Sequence, residues 1–387
     1  MSKIQHHTLI SDTTGSSKRI AFVGNTAFSL YNFRLGVMKR FVSEGYKVFA
    51  IAPDDKYSNL FEVENIEFIN LDIDGKGTNI LTDILLLYRT VRLYKKYSFD
   101  FVFHYTIKPI IYGSLACRLL KIKTIAITTG LGYTFDNGKW LTKFVVQLYR
   151  KSLQKTKEVW FLNPDDEAVF LEKQIVEESR TFILRSEGVN SEIYSPVQKI
   201  KNQDKFVFLF LSRLVKEKGV EEFAMAAKCL KLKYPNVECQ ILGKTDIQNP
   251  NDIPVENVIE WEQKGFIKYI KDSMDVRPYI VNSNCIVLPS YYREGVPRCL
   301  MEAMSMKRPI ITTDNVGCRE LIEDNVNGKI CKSGDVDDLA NKMEEMYLLD
   351  DATRNKMGEN GRNKILQQFD EDLIINVYLE RISCYLS

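Results

Sequence analysis

At 387 residues the chain is too long for one ordinary core, so two domains are the expectation. Its 45% hydrophobic and 27% charged content is that of a soluble globular protein, and a net charge of +2 points to no particular partner. Eight cysteines, scattered and without a Cys-x-x-Cys pair, exclude a zinc or disulfide framework and read as reduced core residues.

Residues 1–17 form a polar tail, expected to be disordered, that holds His6 and His7 and has no apolar signal core. No later run reaches the roughly eighteen apolar residues needed to span a bilayer. The chain is therefore expected in the cytoplasm. From Lys18 a βα pattern starts: a strand over 19–23, a helix over 30–43, and a strand over 47–52. The first turn, with Gly24 and Asn25, carries one glycine and is no dinucleotide fingerprint. Further strands are expected over 67–71, 99–104, 124–128 and 158–162, with helices over 81–97 and 110–120. The first domain spans 18–196. A polar linker over 197–205 leads to a second series: a strand over 206–211, a helix over 220–233, and a strand over 237–242. The second domain spans 197–370, and an amphipathic stretch over 371–387 is expected to cross back onto the first. The fold class is α/β, two doubly wound domains facing across a cleft.

Two motifs carry the chemistry. "NCIVLPS" over 284–290 reads as a buried strand, "YYREGVP" as a turn, and Leu300, Met301, Ala303 and Met304 recur at helical spacing. Gly295 permits close backbone approach, and Pro297 suits a first helical turn. Free amides at such a helix start can receive an anion. Glu294 sits in the loop, and Glu302 follows eight residues on, about two helical turns in. The second motif, "SRLVKEKG" over 212–219, follows a strand end, where open α/β sheets bind ligands. Arg213 and Lys218 there suit a diphosphate, Arg213 as a fork of donors and Lys218 as a point charge.

Glu-x7-Glu within "PSYYREGVPRCLMEAMSMKRPIITTDNVGCRE", together with "SRLVKEKG", resembles the donor site of the retaining glycosyltransferases of family 4, which have the GT-B fold. The resemblance implies Arg213 and Lys218 on the donor diphosphate, Glu294 on the transferred sugar and Glu302 on the ribose hydroxyls. Gly295, Val296, Pro297 and Arg298 then belong to the donor site, with Gly317, Arg319 and Glu320 beside the same pocket. The co-substrate is a nucleotide sugar, probed first as a UDP-sugar; no cofactor and no metal are expected. The strings Asp72-Ile73-Asp74 and Asp335-Val336-Asp337 read as coincidence, because cations already take a metal's place.

The first domain is expected to carry the acceptor. "HYTIKPIIYG" places His104 at a strand end with Lys108 close by, and "TTGLGYTF" brings a strand into a loop holding Gly130 and Tyr133. These, with Asn25, are the acceptor-binding candidates. Both strings resemble bacterial enzymes that build capsule, O-antigen or other glycans on undecaprenyl diphosphate, several of them with N-acetylhexosamines. Between residues 85 and 157, fourteen Lys and Arg face only Asp100 and Asp136. Read as a helix, 139–157 places Lys139, Lys143, Arg150 and Lys157 on one face, which would meet an anionic membrane peripherally. No aromatic-interleaved basic motif supports nucleic acid. A sugar-nucleotide epimerase of similar shape, a metal-dependent transferase and a non-catalytic basic docking protein remain the alternatives.

Overall fold

The computed structural model describes residues 17–75, 77, 79–131, 139–197, 205–245 and 251–386. The first sheet has seven strands: β1 (Arg19–Val23), β2 (Lys47–Ala52), β3 (Glu67–Asn70), β4 (Phe101–Tyr105), β5 (Lys123–Thr128), β6 (Glu158–Phe161) and β7 (Thr181–Ile183). Their order is β3-β2-β1-β4-β5-β6-β7, and every pairing is parallel. The second sheet has six: β8 (Phe206–Leu211), β9 (Val237–Leu242), β10 (Lys268–Ile270), β11 (Cys285–Leu288), β12 (Ile310–Thr313) and β13 (Gly328–Cys331). Their order, β10-β9-β8-β11-β12-β13, is again wholly parallel.

Parallel strands are covered by helices on both faces, so they read as unbroken apolar runs. That is the pattern of "RIAFV", "KVFAIA" and "FVFLFL", whose residues are buried almost throughout. Chain order reverses between β1 and β4 in one sheet and between β8 and β11 in the other. Such a switch point opens a crevice at the carboxyl ends of the strands.

Several expected elements end elsewhere. The strand over 284–290 stops at Leu288, because Pro289 has no amide to continue a ladder. The strand over 99–104 runs instead from Phe101 to Tyr105. The helix over 110–120 opens with a π-helical turn, Pro109–Gly113, before its regular part Ser114–Leu120.

The last helix, Glu371–Leu386, does cross back: Ile374, Ile375, Tyr378, Ile382 and Leu386 complete the first domain's core. Its Tyr378 hydroxyl lies 3.0 Å from that of Tyr105, and its ring 4.8 Å from that of Trp160. Where the chain passes between domains, Val189 and Asp370 pair as a parallel bridge, tying both crossings together. Among the described residues no helix is long and apolar enough to cross a membrane.

Candidate active site

The site is built on the two loops at the second switch point. After β8, Lys216–Lys218 makes one 3-10 turn and Gly219 (φ 77°) closes it. A Cβ on Gly219 would lie 2.4 Å from the Pro289 carbonyl oxygen, so only glycine lets the two loops touch here. The amides of Tyr291 and Tyr292 then donate to the Glu217 carbonyl at 2.9 and 3.0 Å. This contact delivers Lys218 onto Glu294. The Lys218 ammonium bonds Glu294 Oε1, to which Ser290 Oγ also donates at 2.9 Å. Lys218 Nζ also stands 5.3 Å over the Tyr292 ring. Arg213 is exposed, and no carboxylate among the described residues pairs with it.

Past β11, Pro297 is the N-cap rather than the first residue of the helix Arg298–Ser305. Glu302 lies one turn in and accepts from Arg298 Nε at 3.1 Å, with the Tyr194 side chain close by. Burial pushes its carboxyl above the usual range, against the pull of Arg298. Arg298 sits 5.4 Å from the Phe33 ring of the first domain, and its Nη1 is buried without a hydrogen-bond partner. Glu294 and Glu302 are both 8% exposed. The half-buried Cys299 thiol lies within the electrostatic reach of Lys218 and both carboxylates, so these groups form one cluster. A polar ligand that supplies acceptors to Arg213, Lys218 and Arg298 would satisfy what the protein leaves open.

Other expected donor residues form the seam between the domains. A Cβ on Gly295 would meet the Thr129 carbonyl oxygen at 2.7 Å, and one on Gly130 would meet the Gly295 amide at 3.0 Å. Gly317 (φ 80°) packs on the Glu294 and Gly295 carbonyls, and Val296 touches the cores of both domains. Asn163 Nδ2 donates to the carbonyls of Glu294 and Gly295 at 3.3 Å each. Arg293 Nε donates to the buried Asp166 at 2.6 Å. Arg319, expected beside the donor pocket, faces Asp165 at 3.7 Å and Asp314 at 3.6 Å. Its neighbour Glu320 is half-buried, and burial with Asp165 close by raises its carboxyl. Gly130, expected on the acceptor, is part of this seam.

Two acceptor candidates need correction. His104 is wholly buried within β4: Nε2 lies 2.9 Å from the Tyr94 hydroxyl and Nδ1 2.9 Å from Thr124 Oγ1. Gly113 closes over the ring, leaving no path to a ligand. The imidazole is a core group. Lys108 is committed to Asp83 at 2.7 Å, and Tyr112 donates to the same carboxylate at 2.8 Å. Asn25 is half-buried at the carboxyl edge of the first sheet, beside Gly75. Tyr133 lies outside the described residues.

The four-cation face also fails. The helix ends at Leu153, so Lys157 lies beyond it, and Arg150 is spent on the carbonyls of Lys173 and Gln174. The Lys139 side chain lies outside the described residues. The acidic strings have local roles: Asp335 caps the helix Val336–Leu348, Asp72 faces Arg89 at 3.6 Å, and Asp74 accepts the Gly77 amide. Among the described residues no three His, Cys, Asp or Glu side chains gather to hold a metal.

Ser290, Tyr194, Asn163 and Asp166 escaped the sequence reading. Ser290 stood in the quoted strand four residues before Glu294, and was the one with a legible signal.

Two Rossmann-like domains with their carboxyl edges facing, and a cation–carboxylate cluster between them, define the GT-B architecture of glycosyltransferases. Residues 19–163 match the family described as Glycosyl transferase 4-like, and residues 194–364 the one described as Glycosyl transferases group 1. The chain belongs to these glycosyltransferases and is a transferase enzyme. It is 26% identical over 94% of its length to the N,N'-diacetylbacillosaminyl-diphospho-undecaprenol alpha-1,3-N-acetylgalactosaminyltransferase of Campylobacter jejuni, covering 97% of that protein. It is 24% identical to the UDP-Gal:alpha-D-GlcNAc-diphosphoundecaprenol alpha-1,3-galactosyltransferase of Escherichia coli, over 79% of this chain and 82% of the relative. In fold it is similar to Anabaena Alr3699/HepE, solved with UDP and glucose, at a TM-score of 0.79 and 17% identity, covering 95% and 100% of the two chains.

Proposed function

We propose that the enzyme moves a hexose or N-acetylhexosamine from a UDP-sugar to a saccharide carried on undecaprenyl diphosphate. Anomeric configuration is retained, and neither a metal nor a cofactor takes part. The observation that carries this reading is the cluster at the second switch point. Arg213 is unpaired among the described residues, and Lys218, five residues on in the same loop, pairs with the buried Glu294. The names of the Campylobacter and Escherichia coli relatives support the acceptor, and the UDP held by the Anabaena neighbour supports the donor.

In this reading the bond between the anomeric carbon and the phosphate oxygen lengthens, charging the diphosphate negatively and the sugar positively. Arg213, Lys218 and the first amides of the helix Arg298–Ser305 stabilise the departing diphosphate. Such donors contribute about 3 kcal/mol each where charge develops. Glu294 holds the sugar and Glu302 the ribose hydroxyls. The acceptor oxygen bonds the anomeric carbon on the face the phosphate leaves, and the phosphate takes the acceptor's proton. The reaction runs in the cytoplasm, on the inner face of the cytoplasmic membrane, with the enzyme held peripherally.

A panel of nucleotide sugars tests this by thermal shift, followed by turnover on a lipid-linked acceptor with and without EDTA. A UDP-sugar should raise the melting point by about 2–4 °C at saturating concentration. Turnover should persist in the chelator. No shift with any nucleotide sugar, or activity lost in EDTA and restored by Mn²⁺ or Mg²⁺, would overturn it.

A further inference from the structure

The helix Ile80–Tyr97 turns an unusual face to solvent. Ile80, Leu81, Ile84, Leu85 and Tyr88 are between 46% and 76% exposed. At about 100° per residue they share one half of the helix surface, opposite the buried Leu86, Thr90 and Tyr94. Arg89, Arg92, Lys95 and Lys96 fall on the same outward half and are exposed. No acid of the helix joins them, since Asp83 points inward to Lys108 and Tyr112. Arg89 makes only a loose surface pair with Asp72, at 3.6 Å.

We propose that this face docks the enzyme on an anionic membrane, its apolar half in the boundary between headgroups and acyl chains and its cations on the headgroups. An apolar stripe joined to cations, on a helix too polar to span, is the make-up of a helix that lies in the interface plane. A second copy of the chain is the other occupant to weigh. Two such faces in contact would oppose eight cations with no acid of either helix between them, which disfavours self-pairing.

The placement suits the enzyme. Asn79 caps the helix after the loop that leaves β3, and that loop's Gly75 lies against Asn25 at the carboxyl edge of the first sheet. The same edge faces the second domain, where Gly130 and Asn163 touch Gly295. The apolar half of the helix therefore borders the mouth of the cleft, where a lipid-linked acceptor would enter. This last point rests on the proposed function; the docking surface itself does not.

Vesicle flotation tests it, with phosphatidylglycerol–phosphatidylcholine vesicles against phosphatidylcholine alone. Wild-type protein should float with the anionic vesicles and be released by high salt. Leu81→Glu/Ile84→Glu and Arg92→Glu/Lys95→Glu should each weaken that binding about tenfold or more. All four positions are exposed, so thermal unfolding should not change, nor should transfer to a short water-soluble acceptor. Equal flotation of variants and wild type, no flotation at all, or equal binding to both vesicles would overturn the proposal. So would a wild-type dimer that Leu81→Glu/Ile84→Glu converts to monomer without any vesicle binding. Flotation as expected, from an enzyme inactive on every acceptor, would uphold the docking face while removing the proposed reaction.

Discussion

Lys218 and Glu294 meet across two loops of the second domain, with side chains only 11% and 10% exposed. Arg213, five residues before Lys218, is exposed instead and has no such partner among the described residues. Two cations assigned to one leaving group therefore carry different structural loads. Each role can be read separately.

Arg213→Ala should lower turnover by about 10²–10³-fold while unfolding free energy stays within about 0.5 kcal/mol of wild type. Lys218→Ala should lower turnover comparably and also destabilise by about 3 kcal/mol, because Glu294 is left buried without its cation. Steady-state kinetics and urea unfolding on the two variants decide it. Wild-type turnover in Arg213→Ala would take that residue out of the site. Undiminished stability in Lys218→Ala would show that the pair holds nothing together.

The seam offers a test that involves no charge. The nearest neighbours of a Cβ on Gly295 are the Thr129 carbonyl oxygen at 2.7 Å and Leu162 Cδ1 at 2.8 Å. The first is backbone and cannot rotate away, so the domains must part. Gly295→Ala should cost about 1–3 kcal/mol and reduce turnover, with a larger radius of gyration in small-angle scattering. Gly130→Ala should do the same with added backbone strain, since Gly130 has φ 117°. Unaltered scattering and activity in both variants would show that the contact does not hold the cleft.

What the sequence disclosed follows from burial. Long, doubly covered strands such as β1, β2 and β8 announce themselves as apolar runs, whereas β10 (KYI) and β13 (GKIC) are too short and mixed to do so. Glu294, Glu302, Arg213 and Lys218 were legible because each follows a strand end. Tyr194 and Asn163 meet Ser305 and Glu294 of the second domain from over a hundred residues away, and no local pattern marks that. His104 misled for a definite reason: β4 runs one residue further than expected, drawing the ring inside. The basic face misled because the helical wheel was continued past Leu153. The real amphipathic signal, Ile80, Leu81, Ile84 and Leu85 followed by Arg89 and Arg92, lay in an element read simply as a helix.

The buried histidine yields the last prediction. Thr124 Oγ1 donates its own hydrogen to the Val102 carbonyl at 2.7 Å, so toward His104 it can only accept, which places the proton on Nδ1. Nε2 then accepts from the Tyr94 hydroxyl, and both ring nitrogens are satisfied in the neutral form. Burial pushes the imidazole from 6.5 down to about 3. Above about pH 6.5 neither folded nor unfolded chain protonates it, so it gives no pH dependence there. Below that value the unfolded chain binds a proton that the folded one refuses, and stability is lost as pH falls toward 3. The slope approaches about 1.4 kcal/mol per pH unit. Buried carboxyls such as Glu302 are pushed up and act in the opposite direction, but they are common to wild type and variant and cancel on comparison. His104→Gln should be the less stable protein near pH 7, through poorer packing and hydrogen bonding. Its deficit should shrink by roughly 1–2 kcal/mol by about pH 5, because glutamine has no proton to gain. Urea unfolding of both proteins across that range measures it. Parallel stability curves would falsify the assignment of His104 as a neutral core group.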